Sequence, residues 1–169
     1  MSGLGPTYGN FSRLKAGPTN VSKLSINSVE VTATPAALNV LDGSPANVTA
    51  VVAAGAANIA DVAISVRDAA GDLIANPQIL DVWLSDATTG AGLTGVTASG
   101  TVQAKSASGT DLQAVTAKKH LRVQTLATGV YTLEITDTAK THFKVCVAHP
   151  LTGKTIVVAT LATASYGSA

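Results

Sequence analysis

Alternation of apolar and polar side chains limits the fold of this chain more than any other feature of its sequence. In the segment ADVAISVRD, residues 60–68, Val62, Ile64 and Val66 alternate with alanine, serine and arginine. Successive side chains of a β-strand point to opposite faces of the sheet. The segment therefore predicts a strand that turns one face towards a hydrophobic core and the other face away from it.

The same alternation recurs from residue 47 towards the C-terminus. It predicts three more sets of core residues, which are Leu80, Val82 and Leu84, then Tyr131, Leu133 and Ile135, and finally Phe143, Val145 and Val147. The predicted strands lie near residues 47–53, 59–67, 78–85, 93–97, 100–104, 112–117, 120–125, 129–136, 142–148 and 154–160. Short strands separated by turn residues, with no helical pattern between them, predict an antiparallel β-sandwich over residues 47–169. Its type is Ig-like or jelly-roll-like.

Residues 1–33 have no sustained period, and glycine and proline interrupt them repeatedly, which predicts an extended arm. Such an arm cannot bury its own apolar side chains. It is either disordered or lies on a partner that supplies the missing burial. In the second interpretation the arm is an anchor, and its contact residues are Tyr8, Phe11, Arg13, Leu14, Lys15 and Lys23.

Residues 34–46 predict one short helix and a linker. Thr34 suits the N-cap, Pro35 the first helical position and Gly43 the C-terminal stop. Leu38 and Leu41 form a narrow apolar stripe on this helix, which at about two turns of length needs a docking surface. Both leucines therefore join the predicted partner interface.

The composition excludes several classes of protein. The 169 residues are 46% hydrophobic and 12% charged, with a net charge of +1, which argues against disorder of the whole chain and against nucleic acid as a partner. No stretch has the apolar length of a membrane span or the pattern of a secretory signal, so membrane insertion is not expected. Cys146 is the single cysteine, which rules out an internal disulfide and a multi-cysteine zinc site.

Catalytic and metal-binding patterns are sparse in this sequence. His142 and Cys146 share a predicted strand face, but they lie about 13 Å apart along it, too far for a nucleophile and its base. Asp68 and Asp72 flank a turn that would hold calcium only if a third carboxylate converged on it. We therefore predict no catalytic residue, no cofactor and no metal, and we expect that the protein is not an enzyme.

Two features of the predicted surface suggest contacts. Trp83 has the opposite parity from its core-facing neighbours, so it is expected to face outward, either into a subunit interface or under a loop or the arm of its own chain. The densest basic group predicts a solvated strand edge, with phosphate or glycan binding as the alternative. This group consists of Lys118, Lys119, His120 and Arg122.

The segment VTATPAALNVLDG, residues 31–43, resembles the VTAT/S-x-AELN-x-LDG segments of tailed-bacteriophage fibre and head-decoration proteins. Ala37 stands where that pattern has a glutamate, so the reciprocal capping box is lost. The stretch over residues 53–145 resembles the β-domain that follows such segments in phage virion proteins. Its turn pattern is also similar to that of Ig-like domains of bacterial adhesins.

This resemblance implies a non-enzymatic virion structural protein that decorates the outer surface of the capsid. The arm and the helix would anchor it to the lattice of the major capsid protein, and the sandwich would project to stabilise the shell or to contact host surfaces. The implied partners are that lattice, further copies of the chain with a trimer favoured, and a host surface glycan. The alternative is a tail-fibre or adhesin module that binds a host glycan or receptor.

Overall fold

The described part of the chain is all-β. The computed structural model describes residues 25–26, 29–30, 44–150 and 157–168, and the chain divides into two compact units, residues 1–34 and 35–169. In the first unit, β1 (Ser25–Ile26) pairs antiparallel with β2 (Val29–Glu30). The predicted helix at residues 34–43 lies outside the described residues.

The second unit contains the strands of the predicted sandwich domain. They are β3 (Asn47–Ala54), β4 (Ile59–Arg67), β5 (Ile79–Ser85), β6 (Val102–Ala104), β7 (Thr110–Thr116), β8 (His120–Gln124), β9 (Val130–Thr136), β10 (Lys144–Ala148) and β11 (Val157–Thr160). A short 3-10 helix, Thr163–Ser165, follows β11.

These strands form two antiparallel sheets. The four-stranded sheet has the order β3-β4-β9-β6, and the five-stranded sheet has the order β11-β10-β5-β8-β7. Every pairing between these strands is antiparallel. The predicted all-β, antiparallel, sandwich-like architecture is therefore confirmed for the described residues.

The core lies between the two sheets and takes every second side chain of the central strands. The alternation predicted from the sequence is confirmed on β4, β5 and β9. On β10 the predicted core residues Val145 and Val147 are buried, but so is Cys146 between them. The predicted core residues are each at most 2% exposed and comprise Val62, Ile64, Val66, Leu80, Val82, Leu84, Tyr131, Leu133, Ile135, Phe143, Val145 and Val147. Val48, Ala50 and Val52 of the edge strand β3 pack against this core with partial burial.

The strand predicted at residues 93–97 is wrong, because this segment is a loop. The Asp86 carboxylate accepts hydrogen bonds from the Thr94 hydroxyl at 2.6 Å and from the Gly95 N–H at 2.8 Å. Gly92 has a φ of +71°, in the left-handed region that glycine tolerates best. Asp86 thus binds residues eight and nine positions further along the chain. Such side-chain bonds favour a closed loop over an extended strand.

A buried tyrosine and one carboxylate connect the two sheets. Tyr131 of β9 is 0% exposed, and its hydroxyl donates to Asp111 Oδ1 at 2.7 Å. Asp111 belongs to β7 of the other sheet, and its Oδ2 accepts from the Ala104 N–H of β6 at 2.8 Å. Burial, followed by the bond to Asp111, raises the pKa of Tyr131 well above its usual range. Gly109 leaves the space that the Tyr131 ring occupies.

Replacing Tyr131 with phenylalanine tests this connection between the sheets. Because the hydrogen bond has a carboxylate acceptor, we expect Tyr131→Phe to lower the free energy of unfolding by about 1.5 kcal/mol in urea titrations. Tyr166→Phe is the matched control, since the Tyr166 hydroxyl donates to the backbone carbonyl of Thr141. A Tyr131→Phe loss no larger than that of the control would contradict this account.

Asp137 fixes the loops at one end of the sandwich. It is 1% exposed, and its carboxylate accepts from the Ser99 N–H at 3.1 Å and from the Thr141 N–H at 2.8 Å. Burial alone would raise the pKa of Asp137, but the hydrogen bonds from Thr141 and Ser99 outweigh it and lower the pKa to about 2. The ionised carboxylate therefore stabilises the folded state.

The pH dependence of stability follows from the lowered pKa of Asp137. Because the folded-state pKa lies below the unfolded value, the stabilisation is complete above about pH 4 and is lost as the pH falls towards 2. We expect Asp137→Asn to cost about 2 kcal/mol at pH 7 and progressively less below pH 4, measured by urea unfolding. Asp72→Asn, at an exposed position, is the control. A cost that does not change with pH would refute the assignment.

Candidate functional site

Most of the contact residues predicted from the sequence lie outside the described residues. Their role as a partner interface stays a prediction, and they are Tyr8, Phe11, Arg13, Leu14, Lys15, Lys23, Leu38 and Leu41. Among the predicted contact residues, Trp83 on the central strand β5 lies within the described part of the chain. The site is therefore built around this residue.

Trp83 faces away from the core, as its parity predicts. Its neighbours Val82 and Leu84 are 2% and 1% exposed, whereas Trp83 is half-buried. The indole Nε1–H donates to the backbone carbonyl of Gly90 at 2.9 Å. A loop of the same chain thus contacts the indole, which was one of the two expected arrangements. The subunit contact of Trp83 stays a prediction.

The loop over residues 86–95 is held against the sheet by several hydrogen bonds. The Ser85 hydroxyl donates to the Ala91 carbonyl at 2.9 Å, and Lys119 Nζ donates to the carbonyls of Thr94 at 2.8 Å and Gly95 at 3.2 Å. The hydrogen bond from Thr94, followed by the Gly95 N–H, lowers the pKa of Asp86. The loop is therefore a fixed wall on the outer face of the sheet.

A groove of about 480 Å³ lies between this wall and the outer face of the five-stranded sheet. We call it the Trp83 groove, and it is lined by Asp81, Trp83, Gly90, Ala91, Gly92, Leu93, His120 and Ala148. The strand register explains this set, because β8 sets His120 opposite Trp83 and β10 sets Ala148 opposite Asp81. The groove therefore joins an apolar surface to polar side chains.

Asp81 and Arg122 neutralise each other at the edge of the Trp83 groove. Arg122 Nε donates to Asp81 Oδ1 at 3.0 Å, and a terminal guanidinium nitrogen donates to Oδ2 at 3.2 Å. The hydrogen bond to Asp81 raises the pKa of Arg122. His120 meets the Trp83 ring edge-on with 6.1 Å between ring centroids, and its Nε2 lies 3.7 Å from Asp81 Oδ1. The polar part of the groove is thus a compensated ion pair beside an imidazole.

A second hollow of about 380 Å³ adjoins the Arg122 side chain. It is lined by Pro77, Gln78, Ile79, Arg122 and Pro150. Arg122 lines this hollow and Asp81 lines the Trp83 groove, so their ion pair links the linings of the two depressions. The outer face of β5 and β8 can therefore hold an elongated ligand.

The edge strand β7 is exposed along its whole length. All seven of its residues are exposed, and Leu112 and Val115 are 46% and 48% exposed. The pairing of β7 with β8 is irregular between Asp111 and Gln113 and again between Ala114 and Thr116. Leu112 and Val115 are thus the extra residues of two bulges, which are a common feature of edge strands.

Cys146 and Asp68, which the sequence offered as candidates for chemistry, have structural surroundings. Cys146 is 0% exposed, and burial raises the pKa of its thiol to about 11. Asp68 Oδ1 accepts from the N–H groups of Ala70 and Asp72 within its own turn. Within residues 44–150 and 157–168, no three His, Cys, Asp or Glu side chains form a group that could hold a metal ion. The same part of the chain contains no helix long and apolar enough to cross a membrane.

Comparison of this chain with protein families, with curated proteins and with solved structures finds no match.

Sequence reasoning identified Trp83 but not the polar part of its groove. Asp81 and Arg122 are 41 residues apart, and no local pattern relates them. Arg122 and Lys119 were assigned to one basic group, whereas the structure gives them different partners. The pairing of β5 with β8 brings Asp81 opposite Arg122 and Trp83 opposite His120.

The reactivity of Cys146 tests the packing on the outer face of the sheet, where Cys146 lies opposite Trp83. Because the thiol is buried and its pKa is raised to about 11, we expect native protein to react with Ellman's reagent at pH 8 at least about 100-fold more slowly than urea-unfolded protein. Equal rates for the two forms would show that Cys146 is accessible and would contradict the described packing.

Proposed function

We propose that this protein is a non-enzymatic structural protein of a bacteriophage particle that decorates the outer surface of the capsid. The proposal rests on the resemblance of residues 31–43 and 53–145 to phage virion proteins, and the division of the chain into residues 1–34 and 35–169 is in keeping with an arm and a separate sandwich. The core residues described for the second unit lie between Val48 and Tyr166. In the proposal the sandwich projects from the shell, and residues 1–33 with the following helix bind the lattice of the major capsid protein.

The basic residues of the arm supply the electrostatic part of the proposed contact. Arg13, Lys15 and Lys23 meet acidic capsid surface, while Tyr8 and Phe11 are buried against it. Complementary charge guides the encounter of each arm with the capsid. If copies of the chain are joined in an oligomer, several arms bind the repeating lattice at once, and this multivalency strengthens attachment.

We further propose that the sandwich is of the Ig-like type. Variable-type Ig domains combine a four-stranded sheet with a five-stranded one, as do the sheets β3-β4-β9-β6 and β11-β10-β5-β8-β7. The spatial order supports this type. The connections differ, because β6 precedes β7 and β8 in the chain although it lies beside β9 in the other sheet.

The exposed strand β7 supports a role for contacts between copies. Leu112 and Val115 present apolar surface that the sandwich itself does not cover. In the proposal these side chains pack subunits into a homo-oligomer, with a trimer as the favoured state.

The alternative function is a tail-fibre or adhesin module that binds a host glycan or receptor. The Trp83 groove favours it, because a preformed hollow with apolar and polar walls is typical of ligand-binding sites. The two functions differ in where the protein sits on the particle.

Charge reversal in the full-length chain tests the proposed anchor. Capsids of the phage that encodes this chain are mixed with the protein and sedimented. We expect Arg13→Glu with Lys15→Glu to weaken cosedimentation at least about tenfold, because the proposed partner surface is acidic. The control variant, Arg67→Glu with Lys144→Glu, changes the net charge by the same amount, but on β4 and β10 of the sandwich. It should bind capsids as wild type does.

Two outcomes would overturn the anchoring proposal. One is wild-type affinity in the Arg13 and Lys15 variant, which would remove the arm from the contact. The other is failure of the wild-type protein to bind its own capsids.

A further inference from the structure

We infer that the Trp83 groove and the adjoining hollow bind a neutral oligosaccharide. The inference goes beyond capsid attachment and does not depend on it, because every residue of the site lies between Pro77 and Pro150 of the sandwich unit. It also assigns a binding site to the host surface glycan that the sequence resemblance implies as a partner.

The charge of the site argues for a neutral ligand. Asp81 and Arg122 form two hydrogen bonds with each other, so neither side chain offers an uncompensated charge. An anionic ligand would meet the Asp81 carboxylate, and a cationic ligand would meet the guanidinium. The hydroxyl groups of a sugar are donors and acceptors at once, so they can bond both members of an intact ion pair.

The shape and the apolar lining of the site indicate a sugar ring. Trp83, Leu93 and Ala148 provide apolar surface next to the ion pair. A pyranose ring carries C–H groups on its faces and hydroxyls around its edge, so it matches this juxtaposition of indole and ion pair. A volume of about 480 Å³ is within the usual range for small-ligand sites.

The position of the site in the sheet argues against an extended peptide. β5 lies between β10 and β8, and β8 lies between β5 and β7. Both strands therefore have neighbours on either side, and neither offers the free edge that strand addition requires. A ligand on this face therefore cannot bind by adding a strand to the sheet.

The second hollow extends the site beyond one ring. Arg122 lines the 380 Å³ hollow and bonds Asp81, which lines the 480 Å³ groove, so an oligosaccharide that bonds both members of the ion pair reaches both depressions. The wall is already held by the bonds from Trp83 to Gly90 and from Ser85 to Ala91. Little ordering is then needed on binding, which favours affinity.

Tryptophan fluorescence reports on this groove directly, because Trp83 is the only tryptophan of the chain. The full-length protein is titrated to about 20 mM with three neutral probes, cellotriose, maltotriose and chitotriose, and with 3′-sialyllactose as an anionic comparison. We expect a saturable change with at least one neutral probe at a Kd of about 0.1–5 mM, and weaker binding of the corresponding monosaccharide.

Variants of the ion pair locate the binding. Arg122→Ala and Asp81→Ala should each weaken binding at least about tenfold, whereas Arg67→Ala on the other sheet should leave it unchanged. Amide chemical-shift changes in the wild-type protein give a second measurement that needs no variant. They should concentrate at residues 78–93, 120–122 and 148.

Three results would overturn the inference. They are no saturable response to any neutral probe in fluorescence and in chemical shifts, binding of sialyllactose alone, and shift changes that map away from the groove. A failure here would leave the capsid proposal standing, because cosedimentation does not use the groove.

Discussion

The burial of alternate side chains between two sheets is the constraint on which the rest of this structure depends. Each central strand commits its apolar residues to the core, as Val62, Ile64 and Val66 of β4 do at 0% exposure. A shift of one residue in register would reverse every inward side chain of the strand. The core therefore fixes which residues remain on the outer faces. Trp83 faces outward because Val82 and Leu84 face inward.

The fold of the described residues could largely be predicted from this period of two. The strands predicted at 59–67 and 129–136 match β4 and β9 closely, since their alternation is regular. The strand predicted at 93–97 was wrong, because its apolar residues, Leu93 and Val96, are exposed loop residues. The decisive contact is the carboxylate of Asp86 on Thr94 and Gly95, and side-chain bonds of this kind leave no periodic signal.

The site could be predicted only in part, for a similar reason. The outward direction of Trp83 follows from parity, but the Asp81–Arg122 pair depends on the register between β5 and β8. The groove also needs a loop wall, and hydrogen bonds from Ser85 and Lys119 build it. These contacts join residues that are distant in sequence or belong to an irregular loop. The inner faces of the sandwich thus provide stability, whereas ligand recognition is proposed for an outer face and anchoring for the N-terminal arm.

Cryo-electron microscopy of the native phage particle tests the central claim most directly. If the protein decorates the capsid, density for the sandwich should project from the outer shell at repeated lattice positions, and residues 1–46 should be ordered against the major capsid protein. Density confined to the tail, or capsids that carry no copy of the chain, would contradict the account.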